Sequence, residues 1–378
     1  MSAGMASGST SPGCCSPTAR RSATISSDRG HSSRAAALDP EWLPHSFDGD
    51  GRRIAMIHVP RDMHDSLTFL NDQNFGNRFD VAIHDSGQIA SFADTAPEGP
   101  LHFIFHTAFC GSTLLTKALT VPGKVMGLKE PIVLNDLALR TLRNGPSAEQ
   151  QRLRLMLRLL ARPFDEHGAV IVKPSNVANR LLAPTLETRP KSRAILLHSD
   201  LPGMLLGVAK AGLERRQWVR QLYVSLSQWA PGGLGQDPEK VIELADLPLA
   251  ALASFMQIRH FREIARRFGT ERVMMVDCAR LMARPDQTLS SVAGFLELGL
   301  DAATIDRAIH SEAFRTHSKF VGTRYNMKDR ERDLAEAKRA YGREIKATIT
   351  WLENLVGRST ADSTRTTFKA PPTHLFAA

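Results

Sequence analysis

The sequence predicts a three-layer α/β/α fold with a central, mostly parallel sheet. Three observations predict it. Between Leu101 and Leu298 short apolar runs alternate with helical patterns, the order produced when strands and crossover helices succeed one another. Those runs are continuously apolar, as strands covered on both faces must be. One of them passes through a short glycine-containing loop straight into a helix, the layout that holds ligands at the carboxyl edge of open α/β sheets.

Taken in order, the strands are expected at His102–Phe105 (HFIF), Val125–Leu128 (VMGL), Ala169–Lys173 (AVIVK), Arg193–Leu197 (RAILL) and Arg272–Val276 (RVMMV). Among the helices, Ser147 to Ala161 carries a broad leucine face, with Ser147 placed to cap its start. Arg154, Arg158 and Arg162 fall on one stripe of it, which reads as a solvated face. Upstream, Ile54–Val59 (IAMIHV) and Phe79–His84 (FDVAIH) read as short strands, so residues 38–98 form a small N-terminal β-containing extension. Residues 99–357 make up the main domain. Residues 1–37 are rich in Ser, Ala, Gly and Arg, with no acidic residue before Asp28, and read as a disordered tail. The same composition is that of a transit peptide; without an apolar h-region it is not a secretory signal. Residues 358–378, rich in Ser, Thr and Pro, read as a frayed end.

Composition narrows the function classes. The 378 residues are 42% hydrophobic and 23% charged, as in ordinary globular proteins. No apolar run approaches the roughly 18 residues that a membrane span requires. A formal charge of +9 favours anionic partners, while an aromatic content of 6% offers little for stacking bases, which disfavours nucleic acid. Cys14, Cys15, Cys110 and Cys278 match neither a disulfide framework nor a zinc site, and a reducing, cytoplasmic setting is expected.

The sharpest chemistry lies in Leu101–Leu119, LHFIFHTAFCGSTLLTKAL. A strand, a loop and a helix opened by Gly111, Ser112 and Thr113 form the recipe for a phosphate cradle. Amides at a helix start have no intrahelical partner, the dipole favours negative charge, and glycine lets the backbone come close. The candidate ligand-binding residues are therefore Thr107, Ala108, Phe109, Cys110, Gly111, Ser112 and Thr113. The register ending at Gly111 departs from the Walker A pattern, with His106 at its first glycine and Ser112 at its lysine, which disfavours a standard ATP or GTP hydrolase. A cysteine-phosphatase reading of Cys110 lacks its arginine, because Thr116 stands six positions on.

With these residues in view, AFCGSTLL resembles the 5′-phosphosulfate loop of bacterial sulfotransferases, whose usual form is Pro, a basic residue, then Ser-Gly-Thr-Thr-Leu-Leu. Further stations fall in step: Lys129-Glu130-Pro131, then Pro285, Asp286, Thr288, Leu289, Phe295 and Leu296 in RVMMVDCARLMARPDQTLSSVAGFL, then His317-Ser318-Lys319. The similarity spans roughly residues 100–350 and implies a P-loop fold of divergent type. Three positions depart from the family. Phe109 replaces the loop's basic residue, Ser199 and Gly207 stand where the family holds the 3′-phosphate with Arg and Ser, and Cys278, Ala279 and Arg280 replace Tyr-Glu-Asp.

The resemblance implies a sulfotransferase-like enzyme that moves a sulfuryl group from 3′-phosphoadenosine 5′-phosphosulfate (PAPS) to a hydroxyl or amine of a small-molecule or glycan acceptor, without a metal. Glu130, at a strand end, is the expected base, with His106 and His198 as runners-up. Lys173, closing AVIVK, is the expected substitute for the cation lost at Phe109, with Lys129 on the comparable edge of its own strand. Ser199 and Lys210, with Arg215 and Arg216 beyond, stand near the nucleotide end. A degenerate P-loop nucleotide kinase or NTPase, and a non-catalytic nucleotide-binding protein, are the alternatives.

Overall fold

The structure, a computed structural model, describes residues 32–230, 241, 243–315 and 327–363. The station at His317–Lys319, the side chain of Arg215, most of the N-terminal tail and residues 364–378 lie outside the described residues.

All five predicted runs are strands: β4 Leu101–His106, β5 Val125–Lys129, β6 Ala169–Lys173, β7 Ala194–His198 and β8 Val273–Asp277. They pair in parallel throughout, in the order β5-β6-β4-β7-β8. Alternate residues feed two cores, one on each face. Phe103 and Phe105 of β4, Val170 and Val172 of β6, and Leu196 of β7 enter one core with the helices Val133–Asn144 and Pro146–Leu160. Ile104, Ile171, Ile195 and Leu197 enter the other, with the helices Ser112–Leu119 and Pro285–Phe295. Burial on both faces is the reason the runs show no alternation in sequence.

The N-terminal segment adds a separate antiparallel sheet, β1 Trp42–Phe47, β2 Arg53–His58 and β3 Val81–Asp85, in that order. Its Leu43, Phe47, Ile54 and Met56 share the core that holds Phe103. β1 had no sequence signal because Pro44 interrupts it and its pairing shifts register between Pro44 and Ser46, a pattern allowed where a bulge relieves the missing donor.

Two sequence expectations are corrected here. Gly145, not Ser147, is the N-cap of Pro146–Leu160, because Pro146 takes the first helical position and pulls the start forward. The arginine stripe is solvated only at Arg154. Arg158 donates to the carbonyls of Ala93 and Asp94, and Arg162, 2% exposed, donates to those of Ala36, Ala37 and Asp39 at 2.8–2.9 Å and also to Trp42 O. A planar guanidinium thus gathers carbonyls that start the N-terminal extension. Arg162→Met should lower unfolding stability by about 3 kcal/mol or more, since each orphaned buried acceptor costs about 1–3 kcal/mol. Urea unfolding measures it, and an unchanged midpoint would contradict this role.

Candidate active site

β4 is the switch point of the sheet: β5 and β6 lie to one side of it, β7 and β8 to the other. A crevice opens at the carboxyl edge of such a strand. There the chain leaves His106, turns through Thr107–Cys110 and enters the helix Ser112–Leu119. Gly111 is its N-cap with φ 75° and ψ 19°, left-handed values that glycine adopts without penalty. The amides of Gly111, Ser112 and Thr113 donate to no protein acceptor among the described residues, which leaves a cluster of donors of the kind that binds anions.

The loop is held from several sides. Ser199 Oγ donates to Phe109 O at 2.9 Å, and the Ser199 amide donates to Thr107 Oγ1 at 3.3 Å. Cys110 is 1% exposed, and its Sγ lies 2.9 Å from Thr107 O, a contact within the loop. Phe109 carries φ 57°. Its ring packs edge-on to Trp218, with centroids 6.1 Å apart, and lies against Gly207. The position where the resembling family has a cation therefore holds an aromatic ring, packed onto the position where that family has its phosphate-binding serine.

Glu130 and Lys173 meet. β5 and β6 end in register, Lys129 opposite Lys173, and the Glu130 amide donates to Lys173 O at 2.7 Å. This places the wholly buried Lys173 Nζ on Glu130 Oε1. Burial lowers the Lys173 pKa, while the Glu130 carboxylate opposes that shift; the nearby Cys110 contributes in the same sense as Glu130. Glu130 has φ 56°, so a non-glycine residue is held in left-handed backbone at the point where its carboxylate is delivered. Such strain concentrates at working sites and costs of order 1–3 kcal/mol.

His106 completes the group. Its Nδ1 lies 2.7 Å from Thr107 O and its Nε2 3.9 Å from Glu130 Oε1. A proton on Nδ1, the tautomer that the carbonyl requires, turns the Nε2 lone pair toward Glu130. Asn179 holds the His106 carbonyl at 3.0 Å.

Other predicted residues lie elsewhere. β6, not β5, is the neighbour of β4 on this side, so Glu130 reaches inward from the sheet's edge strand. Lys129, 2% exposed, turns away from Glu130 and donates to Asp65 O at 3.2 Å; burial brings its pKa down to about 8. Lys210 is exposed in the last turn of Leu201–Lys210, about 15 Å along the helix from its start. Arg216 pairs with Asp246 at 4.0 Å. His198 ends β7 on the far side of β4, with a pKa lowered by burial and partly restored by Asp277. Sequence reasoning missed Phe69, whose ring lies 4.9 Å from Lys173 Nζ. The N-terminal extension brings it there: the Leu70 amide donates to Lys129 O at 2.7 Å, and the Ile132 amide to Leu70 O at 3.0 Å. Nothing in its local sequence marks it.

The Phe109 packing gives a direct expectation. Gly→Ala inside a helix ordinarily stabilises by about 0.5–1 kcal/mol, yet a Cβ at Gly207 meets Phe109 Cγ at 2.8 Å. Gly207→Ala should therefore destabilise by about 1–3 kcal/mol, and adding Phe109→Ala should recover part of the loss in a double-mutant cycle. Additive effects would place the ring elsewhere.

No protein-family model matches the chain, and no curated protein does. Solved structures do match. The sulfotransferase domain from the curacin biosynthetic pathway is 14% identical over 59% of this chain and 82% of its own, with a TM-score of 0.39. A sulfotransferase from Alicyclobacillus acidocaldarius is 14% identical over 66% and 98%, with a TM-score of 0.33. Mouse sulfotransferase SULT7A1, complexed with PAP, is 10% identical over 73% and 92%, with a TM-score of 0.36. These are sulfotransferases, the family that the loop's sequence resembles.

Proposed function

We propose that the protein transfers a sulfuryl group from PAPS to a hydroxyl or amine acceptor. The observation that carries this reading is the Glu130 carboxylate, held by a buried lysine beside a strand-loop-helix whose first amides have no protein acceptor among the described residues. In this reading the amides of Gly111, Ser112 and Thr113 receive the donor's phosphate oxygens. The acceptor oxygen or nitrogen attacks sulfur and its proton passes to Glu130. The bond from sulfur to the bridging oxygen breaks, and the charge left on the nucleotide phosphate is met by the amides and the Lys173 ammonium. Each group faces charge that grows in the transition state, the arrangement that lowers a barrier most effectively. Ser112 at the Walker lysine position supports this reading over a kinase or NTPase.

A second reading, a nucleotide-binding protein without turnover, is favoured by the Phe109 ring at the position of the family's loop cation. Incubation with PAPS and a panel of hydroxyl and amine acceptors, with sulfated product followed by mass spectrometry, separates the two. Acceptor-dependent product supports transfer. Tight binding of PAPS with no product from any acceptor leaves the binding reading.

A further inference from the structure

Phe69 is a large apolar side chain that the cores do not use. Among the described residues it belongs to none of the hydrophobic clusters and pairs with no other ring. Its neighbours behave otherwise. Leu67 and Leu70 are 3% and 1% exposed and lie in the core that holds Phe103, whereas Phe69 between them stays half-buried. A ring in that position forgoes part of the stabilisation that burial would give it. What it meets instead is charge: its centre lies 4.9 Å from Lys173 Nζ, within the range over which an aromatic face attracts an ammonium.

The backbone fixes the ring there. The Leu70 amide donates to Lys129 O at 2.7 Å and the Ile132 amide to Leu70 O at 3.0 Å, which ties the N-terminal extension to both sides of the turn that carries Glu130. Lys129 adds a third tie, its Nζ donating to Asp65 O at 3.2 Å. The Glu130 amide in turn donates to Lys173 O at 2.7 Å. One set of hydrogen bonds therefore places the ring, the carboxylate and the strand end that bears the lysine.

Lys173 has a use for such a neighbour. An ammonium brings three N–H donors, and this one, with no exposure to solvent, finds a single acceptor among the described residues, Glu130 Oε1. Glu130 and Cys110 favour its charge and Lys129 opposes it, while His106 Nε2 stands 3.9 Å from the same Glu130 oxygen. An aromatic face suits this place for a specific reason. It attracts positive charge yet offers no lone pair that would draw an N–H away from Glu130, as water or a carbonyl would.

We propose that Phe69 is a positioning residue, which holds the Lys173 ammonium on the Glu130 carboxylate and keeps water from it. The proposal rests on the sulfuryl-transfer reading for the chemistry that the pair serves, and on the geometry of ring and ammonium for the contact itself.

A ring-trifluorinated phenylalanine at position 69 tests it, because fluorine removes the negative face of the ring while nearly keeping its shape. Phe69→Leu is the second variant. In the full chain with isotope-labelled lysine, the Lys173 Cε–Hε signal, assigned by its loss in Lys173→Met, should lie upfield of the other lysines because of the ring's current. Trifluorination should raise the acid dissociation constant of that ammonium by about threefold or more, and lower kcat with PAPS and an acceptor by a similar factor. Phe69→Leu should abolish the upfield displacement and lower kcat at least as far. The proposal is overturned by a Lys173 signal without displacement in the unsubstituted chain, by an acid dissociation constant that trifluorination leaves unchanged, or by kcat unchanged in both variants. Were the unsubstituted chain to form no sulfated product, the sulfuryl-transfer reading would fall, and the Lys173 signal and its titration would still decide for or against Phe69.

Discussion

Glu130→Gln is expected to lower the turnover of sulfuryl transfer by about 10²–10⁴-fold, the usual loss when a general base is removed, while donor binding stays within about twofold. The amide keeps the shape of the side chain and still accepts from Lys173, so the fall belongs in kcat rather than in KM for the donor. Lys173→Ala should behave differently. Its ammonium has no exposure to solvent and lies on Glu130, so its loss leaves the carboxylate without its cation and the transferring group without its charge. Affinity and turnover should both fall, because a phosphate or sulfate contact acts in the ground state as well as in the transition state. Steady-state kinetics with an acceptor from the product screen check both variants. Near-normal turnover by Glu130→Gln would remove Glu130 from the chemistry.

The second large effect is on stability as a function of pH. Burial pushes both His64 and His102 down to about 4, from about 6.5 in the unfolded chain. His102 Nδ1 accepts from the Arg193 amide at 3.1 Å, a bond that requires the neutral ring. Between these values the unfolded state binds protons that the folded state refuses, so stability falls as pH falls. The effect is complete above about pH 6.5 and is lost progressively toward pH 4, with each histidine contributing on the order of 3 kcal/mol. His198 and His260 are shifted in the same direction, again chiefly by burial. Urea unfolding at a series of pH values should show this slope, and His102→Gln, which keeps an acceptor without a titration, should reduce it. A flat profile across that window would contradict neutral burial of these rings.

The central sheet could be read from the chain because burial on both faces makes each strand a compact apolar run, and run length survives without any periodicity. The loop was legible for a related reason: glycine, serine and threonine at the junction of a strand and a helix have few other uses in that order. Glu130 and Lys173 were each readable as strand-end residues, whereas their contact was not. It depends on the register that sets Lys129 opposite Lys173 and on the turn that gives Glu130 a positive φ. Phe69 and Arg162 were illegible as partners, because each acts across a long sequence separation, on Lys173 and on the carbonyls that open the N-terminal extension. The arginine stripe misled for that reason: a surface pattern on one helix says nothing about which segment later covers it.

The most direct test of the central claim is calorimetric titration with adenosine 3′,5′-bisphosphate in the absence of magnesium, set beside ATP with and without magnesium. The account predicts saturable binding of the bisphosphate that is tighter than that of ATP, independent of magnesium and weakened by salt, as screened charge contacts are. Binding of magnesium-ATP alone, with no heat from the bisphosphate, would contradict it.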